Sequence, residues 1–238
     1  MWTRTLLALL ACLLTAGAGR AAGGLTETEA KWVRAGLPVL KYAREQGLPV
    51  DVIVQPDDEP DASPIALGIQ DGRCKLVVSM RGNPGSAALA ADVAPGLFNA
   101  VAEAVFAHEI GHCWRYLRGT ATANTPQAGF SADDGTPEGD ADERELAQLA
   151  LQMHARQQEE GFADLVGLAW TLRAHRGQYP QVRDWLLKLR ANPSVPGEHH
   201  DTGAWLRLAA EASAFGESAT VFGQVQGLWE RGQRPLTP

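Results

Sequence analysis

The chain has 238 residues, 45% of them hydrophobic, which is enough to bury a substantial core and points to one domain of moderate size. Its formal charge is -7 and no lysine or arginine cluster stands out, which excludes a nucleic-acid partner and mostly favours solubility.

The first residues place Arg4 ahead of an apolar run from Leu6 to Leu14, followed by small residues and an Ala16-Gly17-Ala18 pattern. Residues 1–18 therefore read as a signal peptide, and the product is expected to be exported, periplasmic or extracellular. Leu9-Leu10-Ala11-Cys12 also resembles a lipoprotein cleavage box, a lipid-anchored alternative that would leave a short apolar run before Cys12. No later stretch approaches the ~20 apolar residues of a spanning helix, so no integral membrane segment is expected in the mature chain.

Residues 25–238 are expected to form a single domain. Thr26 with Glu29 three residues on suits the start of a helix running to Gln46, which Pro38 would kink or split. Three β-prone runs follow, 50–54, 64–70 and 74–80, with Asp71-Gly72 between the last two. That dipeptide signals a hairpin, and the expectation is a small antiparallel sheet. Residues 81–96 form a connection with room for a short helical turn, and a helix is expected from Leu97 to about Arg118. The polar stretch 119–139 is a lid or a disordered segment. A long helix runs from Asp140 to about His175, and shorter ones occupy 181–190, 203–213 and 217–231. Helix, small sheet, then helices only describes an α+β fold with a mostly helical C-terminal part.

Phe98, Val101, Val105, His108 and His112 advance by three and four and form one stripe of a helix. Two imidazoles set into an otherwise apolar stripe need partners. A divalent metal is one, because side chains at i and i+4 can direct two ring nitrogens at an ion ~2.0–2.1 Å away. Glu109 lies beside that position, where it can take a proton from a metal-bound water. Chance produces such a motif often enough that a third ligand must be found. Leu146, Leu149, Ala150, Met153, Gln157, Glu160 and Asp164 form a second stripe, whose apolar first half leads to two carboxylates four apart. Two carboxylates on such a face repel each other unless something positive is near.

The stretch HEIGH (108–112) followed by EGFAD (160–164) resembles the gluzincin zinc metallopeptidases, in particular the HtpX-like peptidases and their soluble, secreted relatives. The resemblance covers about residues 97–170. It implies a zincin-like fold with the small sheet beside an active-site helix, and a Zn2+ held by His108, His112 and Glu160. It also implies that Asp164 orients His108 or His112, and that Glu109 is the general base acting on a zinc-bound water to hydrolyse peptide bonds. Strand 74–80 would lie beside the histidine helix and offer an edge to an extended peptide or protein substrate. The membrane helices of the HtpX type are absent, and their His-Pro-rich segment is replaced by GEHHDTGAWLRL (197–208). There His200, or His199, is a candidate donor to the oxyanion of a tetrahedral intermediate, with Tyr179 a further candidate; alternatively Asp201 or Thr202 is only a helix cap. Cys74 and Cys113 are either a disulfide or two buried thiols. The competing function is a zinc-stabilised binding or scaffold protein without turnover, and cleavage of a non-protein amide such as a cell-wall peptide is a third.

Overall fold

The computed structural model describes residues 24–55, 63–91, 93–119, 141–191 and 200–233. The expected signal peptide, His199 and nearly all of 119–139 lie outside them. The described residues are mixed α+β, mostly helical, with one three-stranded sheet.

Helix α1 (Glu27–Glu45) starts with the expected capping box, in which the Thr26 side chain accepts from the Glu29 backbone and Glu29 reaches back to Thr26. It runs through Pro38 without splitting. Tertiary packing offsets the lost hydrogen bond: Trp32, Val39 and Leu40 are buried, and Gly36 lies so close to the Phe106 ring that no side chain would fit.

Strands β1 (Val50–Val54), β2 (Ile65–Gln70) and β3 (Arg73–Val78) lie in the order β1-β3-β2. The β2–β3 hairpin turns at Asp71 and Gly72, both with positive φ as a tight two-residue turn requires. The sheet is not purely antiparallel, however, because β1 pairs parallel to β3. The most deeply buried strand, β3, with Cys74, Leu76 and Val78 all sealed, takes the centre, and β1 and β2 become the edges. The strand beside the histidine helix with an open edge is therefore β2, not the 74–80 segment expected for that place.

After the short α2 (Gly85–Ala91) come α3 (Phe98–Leu117) and α4 (Ala141–Ala174), then α5 (Tyr179–Leu189), α6 (Gly203–Leu208) and α7 (Val221–Gly232). The expected 203–213 helix is shorter because it ends at Leu208 and resumes only as a 3-10 turn at 212–214. Helices α3 and α4 pack antiparallel: Glu103 bonds Trp170, His108 bonds Asp164 and Arg115 bonds Glu159. Two glycines set how closely they approach. A Cβ on Gly167 would sit 2.8 Å from the Ala104 carbonyl oxygen, and one on Gly111 would sit 3.2 Å from the Cα of Ala163. Because α3 ends at Leu117, the first half of α4 projects beyond it. The expected inward stripe is exposed there, with Leu146 at 67% and Leu149 at 52%.

A disulfide joins Cys74 in β3 to Cys113 in α3, resolving the choice left open by the sequence and fixing the sheet to the histidine helix. Helix α7 closes the far side of α4, where the Trp229 indole donates to the Gln158 carbonyl and Trp114 stacks between Phe162 and Phe222.

Candidate metal centre

Helix α3 places His108 above His112 on one face, and the antiparallel packing brings Glu160 of α4 opposite both. The Nε2 atoms of the two histidines are 3.1 Å apart; that of His108 lies 3.4 Å from one Glu160 carboxylate oxygen and that of His112 3.4 Å from the other. Zinc held tetrahedrally at ~2.0–2.1 Å has ligand atoms about 3.3–3.4 Å apart, so the separations around this His–His–Glu triangle are of the size a tetrahedral ion needs. His108, His112 and Glu160 form a partly buried group that can hold a metal ion.

The tautomer supports the same reading. His108 Nδ1 lies 2.8 Å from Asp164 Oδ1, and a ring nitrogen donating to a carboxylate leaves Nε2 with its lone pair directed at the triangle. Without a metal, burial opposes a second proton on His108, but Asp164 and Glu160 outweigh it and raise the ring to about 10, so a proton takes the place that a cation would fill.

Charge balance agrees. Glu109, Glu160 and Asp164 are buried here, and Arg190 is the guanidinium that reaches them, with Nε 3.0 Å and Nη2 2.9 Å from the two Asp164 oxygens and Nη2 3.4 Å from Glu160. Glu159 is neutralised separately by a bidentate Arg115. With both imidazoles neutral and Glu109 ionised, as a metal-bound state would have them, the cluster would carry an excess of two negative charges, which a divalent cation would balance. Burial works to raise Asp164 and Glu160, but Arg190 and His108 hold Asp164 well below the usual carboxylate range, and His108 and His112 do the same for Glu160. Glu109 is different. Burial pushes its carboxyl up, and the neighbouring histidines only partly oppose this.

A cleft of about 490 Å³ opens over the triangle. Edge strand β2 forms one wall and Trp185, Leu186 and Leu189 of α5 the other, with Val105 and Glu109 between them. His200 stands at its mouth, half exposed, with Nε2 3.9 Å from Glu160. Tyr179 is elsewhere: its buried hydroxyl donates to the Ala209 carbonyl. His154 and His175 also lie outside the cleft, against Gln158 and Glu103. The structure thus brings His108, Glu109, His112, Glu160, Asp164 and His200 together and leaves Tyr179 out.

Three residues at the site were not picked out for it from the sequence. Arg190 ends α5, where a basic residue is also what a helix C-terminus favours. Thr202 is the N-cap of α6, as considered, but its hydroxyl caps no backbone N–H and donates to Asp164 Oδ2. Tyr116 lines the cleft one turn beyond His112, and for this residue the four-residue spacing was a usable signal. In comparisons with protein-family models, characterised proteins and solved structures, nothing matches this chain.

Proposed function

We propose that this chain is an exported zinc metallopeptidase of the gluzincin type with a zincin-like fold. One observation carries the reading: two imidazole nitrogens 3.1 Å apart, and a carboxylate whose two oxygens each lie 3.4 Å from one of them, face an apolar cleft beside an open strand edge. Export is supported by the N-terminal sequence and agrees with the disulfide, since such bonds persist in oxidising compartments.

His108 and His112 would hold zinc through Nε2 and Glu160 through its carboxylate. Zinc in such a site supplies a Lewis acid that acidifies water and polarises a carbonyl. Asp164 keeps the His108 proton on Nδ1, and Arg190 and Thr202 fix Asp164 in turn. Glu109 lines the cleft without being one of the three donors, so its carboxylate takes a proton from the attacking water and passes it to the leaving amine. The open edge of β2 can pair with an extended peptide, and the apolar wall between Val105 and Leu189 can exclude water around a side chain next to the scissile bond.

The test compares the purified mature protein with Glu109→Gln and Glu160→Ala. The wild type is expected to hold about one zinc per chain and to cut peptide bonds in a chelator-sensitive way. Glu109→Gln should keep the metal and lose cleavage, and Glu160→Ala should lose most of the metal. Full activity in Glu109→Gln removes Glu109 from the mechanism. Stoichiometric zinc with no cleavage across a broad peptide screen leaves the zinc-stabilised binding protein instead.

A further inference from the structure

The peptidase reading leaves one group in the cleft without a task. The side chains that α3 presents to the cleft are Ala104, Val105, His108, Glu109, His112 and Tyr116. With 100° per residue, Val105, His108, Glu109, His112 and Tyr116 fall within an arc of about 100°, with Tyr116 inside it rather than at its margin. Helical side chains lean toward the helix N-terminus, so the Tyr116 ring tilts back over the turn that carries His112.

Its sequence neighbours on α3 are engaged in packing. Arg115 is tied to Glu159, Trp114 is stacked on Phe162 and Phe222, and the Arg118 guanidinium lies over Trp114. The half-buried Tyr116 side chain makes no hydrogen bond or ion pair among the described residues. A phenol in a largely apolar cleft, with its hydroxyl uncommitted, is suited to meet an oxygen of whatever enters. The other polar groups nearby are less suited to that donation. Arg190 spends Nε and Nη2 on Asp164 and Glu160, and Glu109 is needed as a proton acceptor.

We infer that Tyr116 is a catalytic residue whose hydroxyl donates a hydrogen bond to the scissile carbonyl oxygen, a bond that strengthens as that oxygen becomes an oxyanion. The inference rests on the peptidase reading. It makes α3 the source of two zinc ligands, the base and an oxyanion donor. His200, on the Glu160 side of the cleft, then meets the substrate from the opposite wall.

The test uses the zinc-loaded mature protein, Tyr116→Phe and Tyr116→Ala. Tyr116→Phe keeps the ring and loses only the hydroxyl. It should retain full zinc content and an unchanged KM while kcat falls roughly tenfold to a hundredfold, the lower part of the range for loss of an oxyanion donor. An N-phosphoryl dipeptide, whose tetrahedral phosphoryl oxygens resemble the charged intermediate, should bind Tyr116→Phe more weakly by a similar factor. Unchanged kcat and unchanged affinity for this probe in Tyr116→Phe, in a wild type that cuts peptides, overturn the assignment alone. A rise in KM shared by Tyr116→Phe and Tyr116→Ala, with kcat kept, also overturns it by making the ring a packing wall. A wild type that holds zinc but neither cuts peptides nor binds the probe overturns the peptidase reading and this inference together.

Discussion

Asp164 serves three partners at once: the His108 ring, the Arg190 guanidinium and the Thr202 hydroxyl. It connects α3, α5 and the start of α6 to the helix that carries Glu160. Removing Arg190 would leave Asp164 buried with its strongest opposing charge gone and both oxygens short of an anchor, so the carboxylate would protonate more readily and hold the His108 ring less firmly in place. Arg190→Ala and Asp164→Ala are therefore expected to weaken zinc binding by about 10- to 100-fold, the usual cost of losing a group that orients a ligand. Chelator competition measures this, and unchanged affinity in both variants would make the Asp164 contact incidental. At this scale the sequence was uneven. His108 and His112 are legible because they sit four apart on one helix, and Glu160 and Asp164 repeat that spacing. Arg190 and Thr202 contact Asp164 across 26 and 38 residues, and no periodicity marks a contact made across a tertiary gap.

The spacing between α3 and α4 is set by close approaches at two glycines, Gly111 beside His112 and Gly167 further along the pair. Gly167 abuts the backbone at Ala104, about one turn from the histidines along α3. A Cβ there would meet a carbonyl oxygen that has no rotamer to change, so the helices must part. Gly167→Ala is expected to widen the His–His–Glu triangle and lower zinc occupancy while the helices persist. Metal analysis beside circular dichroism checks this, and full zinc content in Gly167→Ala would show that the pair can slide without opening the site. The same element scale explains where sequence patterns misled. The Asp71-Gly72 turn specified the β2–β3 hairpin because its information is local. The parallel position of β1 depends on which strand buries best, and so was not visible in any one segment. The Leu146–Met153 stripe records that one face of α4 is apolar. It does not record that α3 is too short to cover it.

Across the whole molecule, α3 is held from two sides. The disulfide ties it to the sheet, and a metal at the triangle would tie it to α4. The two links act by different physics. The disulfide, with a sequence separation of 39, restricts the unfolded chain and should contribute about 3–4 kcal/mol in the chain-entropy account. The metal acts by binding the folded state alone, and contributes about 4 kcal/mol when free zinc is a thousandfold above its dissociation constant. One link reaches from α3 to β3 and the other from α3 to α4, so the losses are expected to add to first order, and because Cys113 directly follows His112 any departure from the sum measures their coupling. The expected result is that chelation lowers the melting midpoint of the wild type and of Cys74→Ala/Cys113→Ala by similar amounts, but leaves Glu160→Ala unaffected. Thermal melts of the three proteins with and without chelator measure all of this. A chelator shift that vanishes in the disulfide-free variant would mean that the triangle forms only when the sheet is pinned to α3. A shift that persists in Glu160→Ala would place the stabilising metal somewhere other than between His108, His112 and Glu160.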